Sequence, residues 1–127
     1  MPTGNFIQDK GYDAAVALVK YRAVKFSAVE TVTPCTAVTD MVVGVVQHDV
    51  ATLEIAKGKG AAVRRAGATV MEANEAIAVG QEVAIHTNGT AKVAVATNRI
   101  IGICDEAASG IGKYCRVTLS LPGTIKA

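Results

Sequence analysis

The chain has 127 residues, half of them apolar, and 13 basic against 11 acidic side chains give a formal net charge of +2. That length suits one domain with a sizeable core. The basic residues are scattered, with Arg64-Arg65 the only adjacent pair, so the composition argues against nucleic acid as a partner, and no segment approaches the roughly twenty apolar residues that span a bilayer.

The apolar set is unusual. Ala and Val dominate, and the aromatics are Phe6, Phe26, Tyr12, Tyr21 and Tyr114 alone. Small β-branched side chains favour strands and fill thin cores. The three cysteines, Cys35, Cys104 and Cys115, are odd in number and form no CxxC pair. Met1-Pro2-Thr3-Gly4-Asn5 lacks the basic and apolar regions of a secretory signal. These features predict synthesis in a reducing cytosol with buried, reduced thiols.

Residues 1–12 read as an extended N-terminal arm in which Phe6-Ile7 offers two large apolar side chains to its own domain or to a neighbour. Residues 13–127 read as a single β domain. Ala14 to Val19 is too short for periodicity to decide between helix and strand. In Arg22 to Ala28, Val24, Phe26 and Ala28 alternate with Ala23, Lys25 and Ser27, which predicts a strand. Glu30 to Thr33 stays extended up to Pro34, a residue confined to sheet edges and strand starts.

Met41 to Val46 predicts a buried strand with Gly44 at its centre, where a bulge or a close backbone approach needs glycine. A long loop from Gln47 to Lys57 follows, then a strand from Ala61 to Ala66 and another through Thr69-Val70-Met71-Glu72. Asn74 to Gly80 predicts one short helical turn with Gly80 as its C-cap. Asn88-Gly89 predicts a type I′ hairpin turn between Glu82–Thr87 and Thr90–Val95. Cys115, Val117, Leu119 and Leu121 alternate with polar residues until Pro122-Gly123 ends the strand.

Two stretches repeat. Val43-Gly44-Val45 with Gly58-Lys59-Gly60-Ala61-Ala62-Val63-Arg64 is echoed by Ile101-Gly102-Ile103 with Gly110-Ile111-Gly112-Lys113-Tyr114-Cys115-Arg116. One strand–loop–strand unit used twice, and nine or ten short strands in all, predict a mainly β fold. The expected form is a small antiparallel β-barrel or sandwich.

Sites of chemistry are hard to assemble. Cys35, His48 and Asp49 are the residue types of a thiol nucleophile set, but their spacing carries no motif. Cys35, His48, His86, Cys104 and Cys115 lack the close pairs of a zinc site. Gly58-x-Gly60 and Gly110-x-Gly112 lead into strands, whereas phosphate loops lead into helices. Val70-Met71-Glu72-Ala73 lacks the lysine of a biotin carrier hairpin. The expectation is a chain with no catalytic residues, no metal and no cofactor.

Tyr21-Arg22-Ala23-Val24-Lys25, Glu30-Thr31-Val32 and Thr39-Asp40 with Gly44-Val45 resemble the head decoration, or cement, proteins of tailed bacteriophages. Gly58 to Ala66, Ala76 to Gly80 with Glu82-Val83, and Ile101-Gly102-Ile103 with Arg116-Val117 continue the likeness from Tyr21 to Leu121. The resemblance implies a small β domain, commonly a homotrimer, that binds major capsid protein on the capsid exterior and clamps it against internal DNA pressure. It implies a virion component made in the bacterial host cytoplasm, with no catalytic residues and no nucleic acid or membrane partner. The candidate capsid or subunit contacts are Asn5, Phe6, Ile7, Tyr21 and Arg22. Two alternatives stand beside it: a tail tube or baseplate component, and a thiol-dependent hydrolase using Cys35 and His48.

Overall fold

The computed structural model describes residues 8–127. The fold is mainly β, with ten strands and one short helix among the described residues. In chain order these are β1 Gln8–Ala14, β2 Ala23–Ala28, β3 Thr31–Pro34, β4 Gly44–Val46, α1 Thr52–Ala56, β5 Ala61–Ala66, β6 Ala68–Glu72, β7 Glu82–Ile85, β8 Ala91–Val93, β9 Arg99–Glu106 and β10 Tyr114–Ile125.

The first five strands close a barrel in the order β1-β3-β2-β4-β5, and the other five form a sheet in the order β6-β10-β9-β7-β8. The two orders are the same once β6 is matched to β1, β7 to β2, β8 to β3, β9 to β4 and β10 to β5. In the first half β1 closes on β3 in parallel, and in the second a parallel bridge from Ala73 to Ala91 joins the same two edges. Val24 faces Gly44 across β2 and β4, as Val83 faces Gly102 across β7 and β9. Leu18 bridges Val50, as Ile77 bridges Ala108. The repeat seen in the sequence is therefore part of a larger one that takes in nearly the whole chain.

The packing repeats with the backbone. The first interior is built from Tyr12, Ala14, Leu18, Val24, Val32, Val43, Val46, Val50, Ala61 and Val63. Its counterparts, in the same sequence, are Met71, Ala73, Ile77, Val83, Ala91, Ile101, Cys104, Ala108, Cys115 and Val117, all in the second core. That second core also takes in Ala23, Cys35, Val42 and Val45 from the outside of the first barrel. The halves thus share continuous apolar packing, the dominant favourable term in folding.

Gly44 and Gly102 explain their own presence. A Cβ at Gly44 would run into the Arg64 carbonyl oxygen and Val63 Cγ1, and one at Gly102 into the Thr118 carbonyl oxygen and Val117 Cγ1. Each glycine lets a neighbouring strand cross at a distance no side chain permits. The geometry also corrects the match made in sequence. Arg64 corresponds to Thr118, not to Arg116, because Val45 pairs with Arg64 where Ile103 pairs with Thr118.

Several expectations change. Of the stretch expected as an arm, residues 8–12 belong to β1, paired with β5 from Gln8↔Ala66 to Tyr12↔Ala61; residues 1–7 lie outside the described residues. Residues 74–80 are not helical, since Ile77 is held in a bridge to Ala108. The one helix, α1, sits instead in the loop after β4. There Glu54 accepts a hydrogen bond from the Ala51 N–H at 2.9 Å and pairs with Lys59 Nζ at 2.7 Å, while Ile55 packs toward the first interior. Only Gly89 of Asn88-Gly89 has positive φ, so the turn is not type I′. Pairing stops at Ile85↔Ala91, and the five-residue loop closes through His86 N–H to the Thr90 carbonyl and Gly89 N–H to the His86 carbonyl. Strand β10 does not end at residues 122–123 but slips register after Leu119 and pairs on to Ile125.

Candidate interaction surfaces

Tyr21 and Arg22 lie where the chain leaves the first bridge and enters β2. Tyr21 has φ +63, a conformation most side chains avoid, and its counterpart in the second half is Gly80 at φ +88. The Tyr21 carbonyl accepts the Glu72 N–H at 2.9 Å. Its ring meets Tyr114 edge-on, with centroids 5.6 Å apart and an interplanar angle of 81°. Lys20 Nζ stands 5.7 Å from the Tyr21 ring centroid. Arg22 presents its guanidinium fork to Glu72, Nε donating to Oε1 at 3.1 Å and Nη2 to Oε2 at 3.2 Å. Both residues are half-buried at the junction, and the Arg22 fork is already engaged within the chain. Asn5, Phe6 and Ile7 fall outside the described residues.

The residues of the thiol alternative are occupied by structural work. Cys35 is fully buried, and burial, with a smaller push from Asp40, raises its thiol to about 12. Burial raises Cys115 to about 11 and shifts Cys104 upward as well. A nucleophile needs the thiolate, and burial disfavours that form at all three. His48 Nε2 accepts the Ala62 N–H at 3.1 Å, and its Nδ1 lies 3.1 Å from the Asp49 carbonyl oxygen. Among the described residues, no group of three or more His, Cys, Asp or Glu side chains is arranged to hold a metal ion.

One carboxylate shapes a loop. Asp40 Oδ2 accepts the N–H groups of Thr36 at 2.8 Å and Ala37 at 3.0 Å, and Lys25 Nζ stands 3.2 Å away. Burial alone would raise its pKa, but these donors and the lysine together outweigh it and hold the carboxyl below its usual range. A cleft of about 480 Å³ opens between the halves, lined by Gln8, Val42, Val43, Arg65, Ala66 and Leu121. Among the described residues Arg65 is its single charged lining residue, with no acid–base pair.

What stands out is surface left apolar. Val29, at the tip of the β2–β3 turn, is 90% exposed, and Ile103 on the outer face of β9 is 51% exposed. Val16, Leu53, Val79 and Ile111 are also exposed. Large apolar side chains at turn tips and on sheet faces are the material of protein–protein contact. Sequence reasoning missed Val29 and Ile103. Val29 lies in a turn without glycine, and Ile103 matches Val45, which is fully buried.

The fold joins a closed five-stranded barrel to a five-stranded sheet with the same pattern of strand neighbours. Over 96% of this chain and 100% of the other, it is similar to the crystal structure of the head fibre gp8.5 N base in bacteriophage phi29, with a TM-score of 0.69 and 18% sequence identity. At that identity the likeness shows a shared fold. No protein-family profile matches the sequence, and no curated protein matches it.

Proposed function

We propose that this chain is a structural protein of a tailed-phage virion that binds the outer surface of the capsid and stabilises it as a decoration protein. The observation that carries the proposal is the end-to-end agreement of the fold with a phage head fibre base. The loose decoration-protein motifs from Tyr21 to Leu121 point the same way. So do the buried, proton-holding thiols and the exposed apolar tips, which suit holding rather than transforming.

The mechanism is avidity. One copy offers a modest patch to the major capsid protein. A homotrimer offers three at once, so weak contacts add through effective concentration without new chemistry. A surface formed by neighbouring capsid subunits exists only after assembly, so the expected partner is the assembled shell.

The test is cosedimentation of the purified protein with assembled capsids and, separately, with free major capsid protein of the phage that encodes it. Saturable binding to assembled capsids with little capture of free subunits is expected. Equal capture of both, or of neither, refutes the proposal.

A further inference from the structure

The contact that joins the two halves is not reciprocal. The β7–β8 tip of the second half docks on a shoulder of the first, where the Gly89 carbonyl accepts the Ala23 N–H at 2.8 Å. Glu72 of the second half gives its N–H to Tyr21 of the first, but its counterpart Asp13 gives its own to Glu30 within the first half. A contact made by two different surfaces is heterologous, and another copy can repeat it.

Each half carries both surfaces, and only one of each is used. The second half's tip is buried at Gly89 and Thr90, and the first half's shoulder at Ala23, Cys35 and Val45. The first half's tip stays open, and the second half's shoulder is open at Ile103 and partly covered at Glu82, while Ala94, the match of Cys35, is buried. Val29 and Glu30 are exposed at that tip, and Ile103 is 51% exposed where Val45 is fully covered.

We infer that the open tip of one copy, at Val29 and Glu30, docks on the open shoulder of a second copy, at Glu82 and Ile103. Charge favours this occupant. The tip carries the pair Lys10–Glu30 at 3.3 Å, and the shoulder carries Lys126–Glu82. Each surface thus offers one acid and one base to the other copy. Glu30 has a side chain where Gly89 has none, so the copies stand further apart than the halves do. The contact between copies is therefore weaker than the one within the chain.

Repetition of a heterologous contact gives a ring if it closes and a filament if it does not. The copy number of three, and hence a closed ring, rests on the trimer proposed above; the docking itself does not rest on capsid binding. The experiment is sedimentation velocity over a wide range of protein concentration, on the full chain and on Val29→Asp and Ile103→Asp. Both positions are exposed, and circular dichroism checks that each variant folds.

The wild type is expected at a threefold multiple of the chain mass, and each variant at the mass of one chain. The variants are complementary, because V29D keeps a working shoulder and I103D a working tip. Mixed, they are expected to give a one-to-one dimer that grows no further. A wild type that stays at single-chain mass throughout overturns the inference, as does either variant keeping the wild-type mass, or a mixture that fails to dimerise. If docking holds and cosedimentation fails, the capsid proposal falls while this inference stands.

Discussion

Replacing Gly89 by alanine tests the seam between the halves most directly. Gly89 sits at φ +84, and an added Cβ would lie 2.8 Å from the Ala23 carbonyl oxygen and 3.3 Å from the Ala23 nitrogen. A left-handed conformation costs an alanine about 1–2 kcal/mol. The obstructing atoms are backbone and cannot swing aside, so the tip must move. That stretches the 2.8 Å hydrogen bond from the Ala23 N–H to the Gly89 carbonyl, worth about 1 kcal/mol. The expected total is about 2–3 kcal/mol. Gly80→Ala is the control, since Gly80 has φ +88 but nothing within 4 Å of its added Cβ. It carries the conformational cost alone, about 1–2 kcal/mol. Urea unfolding measures both. With a slope of about 1–2 kcal/mol per molar, the G89A midpoint falls below that of G80A by roughly 0.5–1 M. Equal midpoints would show that the tip bears no weight at the seam and would refute the reasoning.

Asp40→Asn keeps the shape of the side chain but removes the charge that the Thr36 and Ala37 amides and Lys25 hold; a loss of about 1–3 kcal/mol is expected by denaturant titration. Because the folded carboxyl is held below its usual range, the wild type keeps this contribution above the free value near pH 4. It loses it as the pH falls through the folded value, so the gap between wild type and D40N should close in acid. The thiols of Cys35, Cys104 and Cys115 should react with a disulfide reagent at pH 8 only as fast as the protein opens, and at once in denaturant. Rapid labelling of Cys35 in the native protein would contradict its burial. A double-mutant cycle on Arg22→Ala and Glu72→Ala should give a coupling of about 1 kcal/mol, since the bidentate pair is partly shielded from water.

The strands were legible where local chemistry and burial agree. The alternation of Cys115 and Val117 marks the core face of β10, and the glycine-centred runs at Gly44 and Gly102 mark β4 and β9. The full duplication was harder to see because matched positions hold unlike residues. Tyr21 stands where the other half has Gly80, and Glu30 where it has Gly89, yet all four have positive φ. Without glycine, neither Tyr21 nor Glu30 announces its turn. Residues 74–80 have helix-like composition, and only the distant partner Ala108 fixes Ile77 as extended. The displaced match of Arg64 shows the same limit, because strand register is set by pairing across the sheet. Tyr21 and Arg22 were notable in sequence, but their partners Tyr114 and Glu72 are supplied by tertiary structure.

Residue 67 alone separates strand β5 from strand β6. Two stretches with the same strand order and the same inward-facing seats therefore meet at one hinge while both are still forming. In such a chain a strand can settle into its twin's place, or pair with the twin in a neighbouring molecule. The fillings of the seats work against that. Tyr12 stands opposite Met71 in the match and Ala61 opposite Cys115, so these seats differ in volume and polarity. Where matched seats hold unlike volumes, as these do, the wrong partner fits less well than the native one, while identical seats such as Val24 and Val83 make no such distinction.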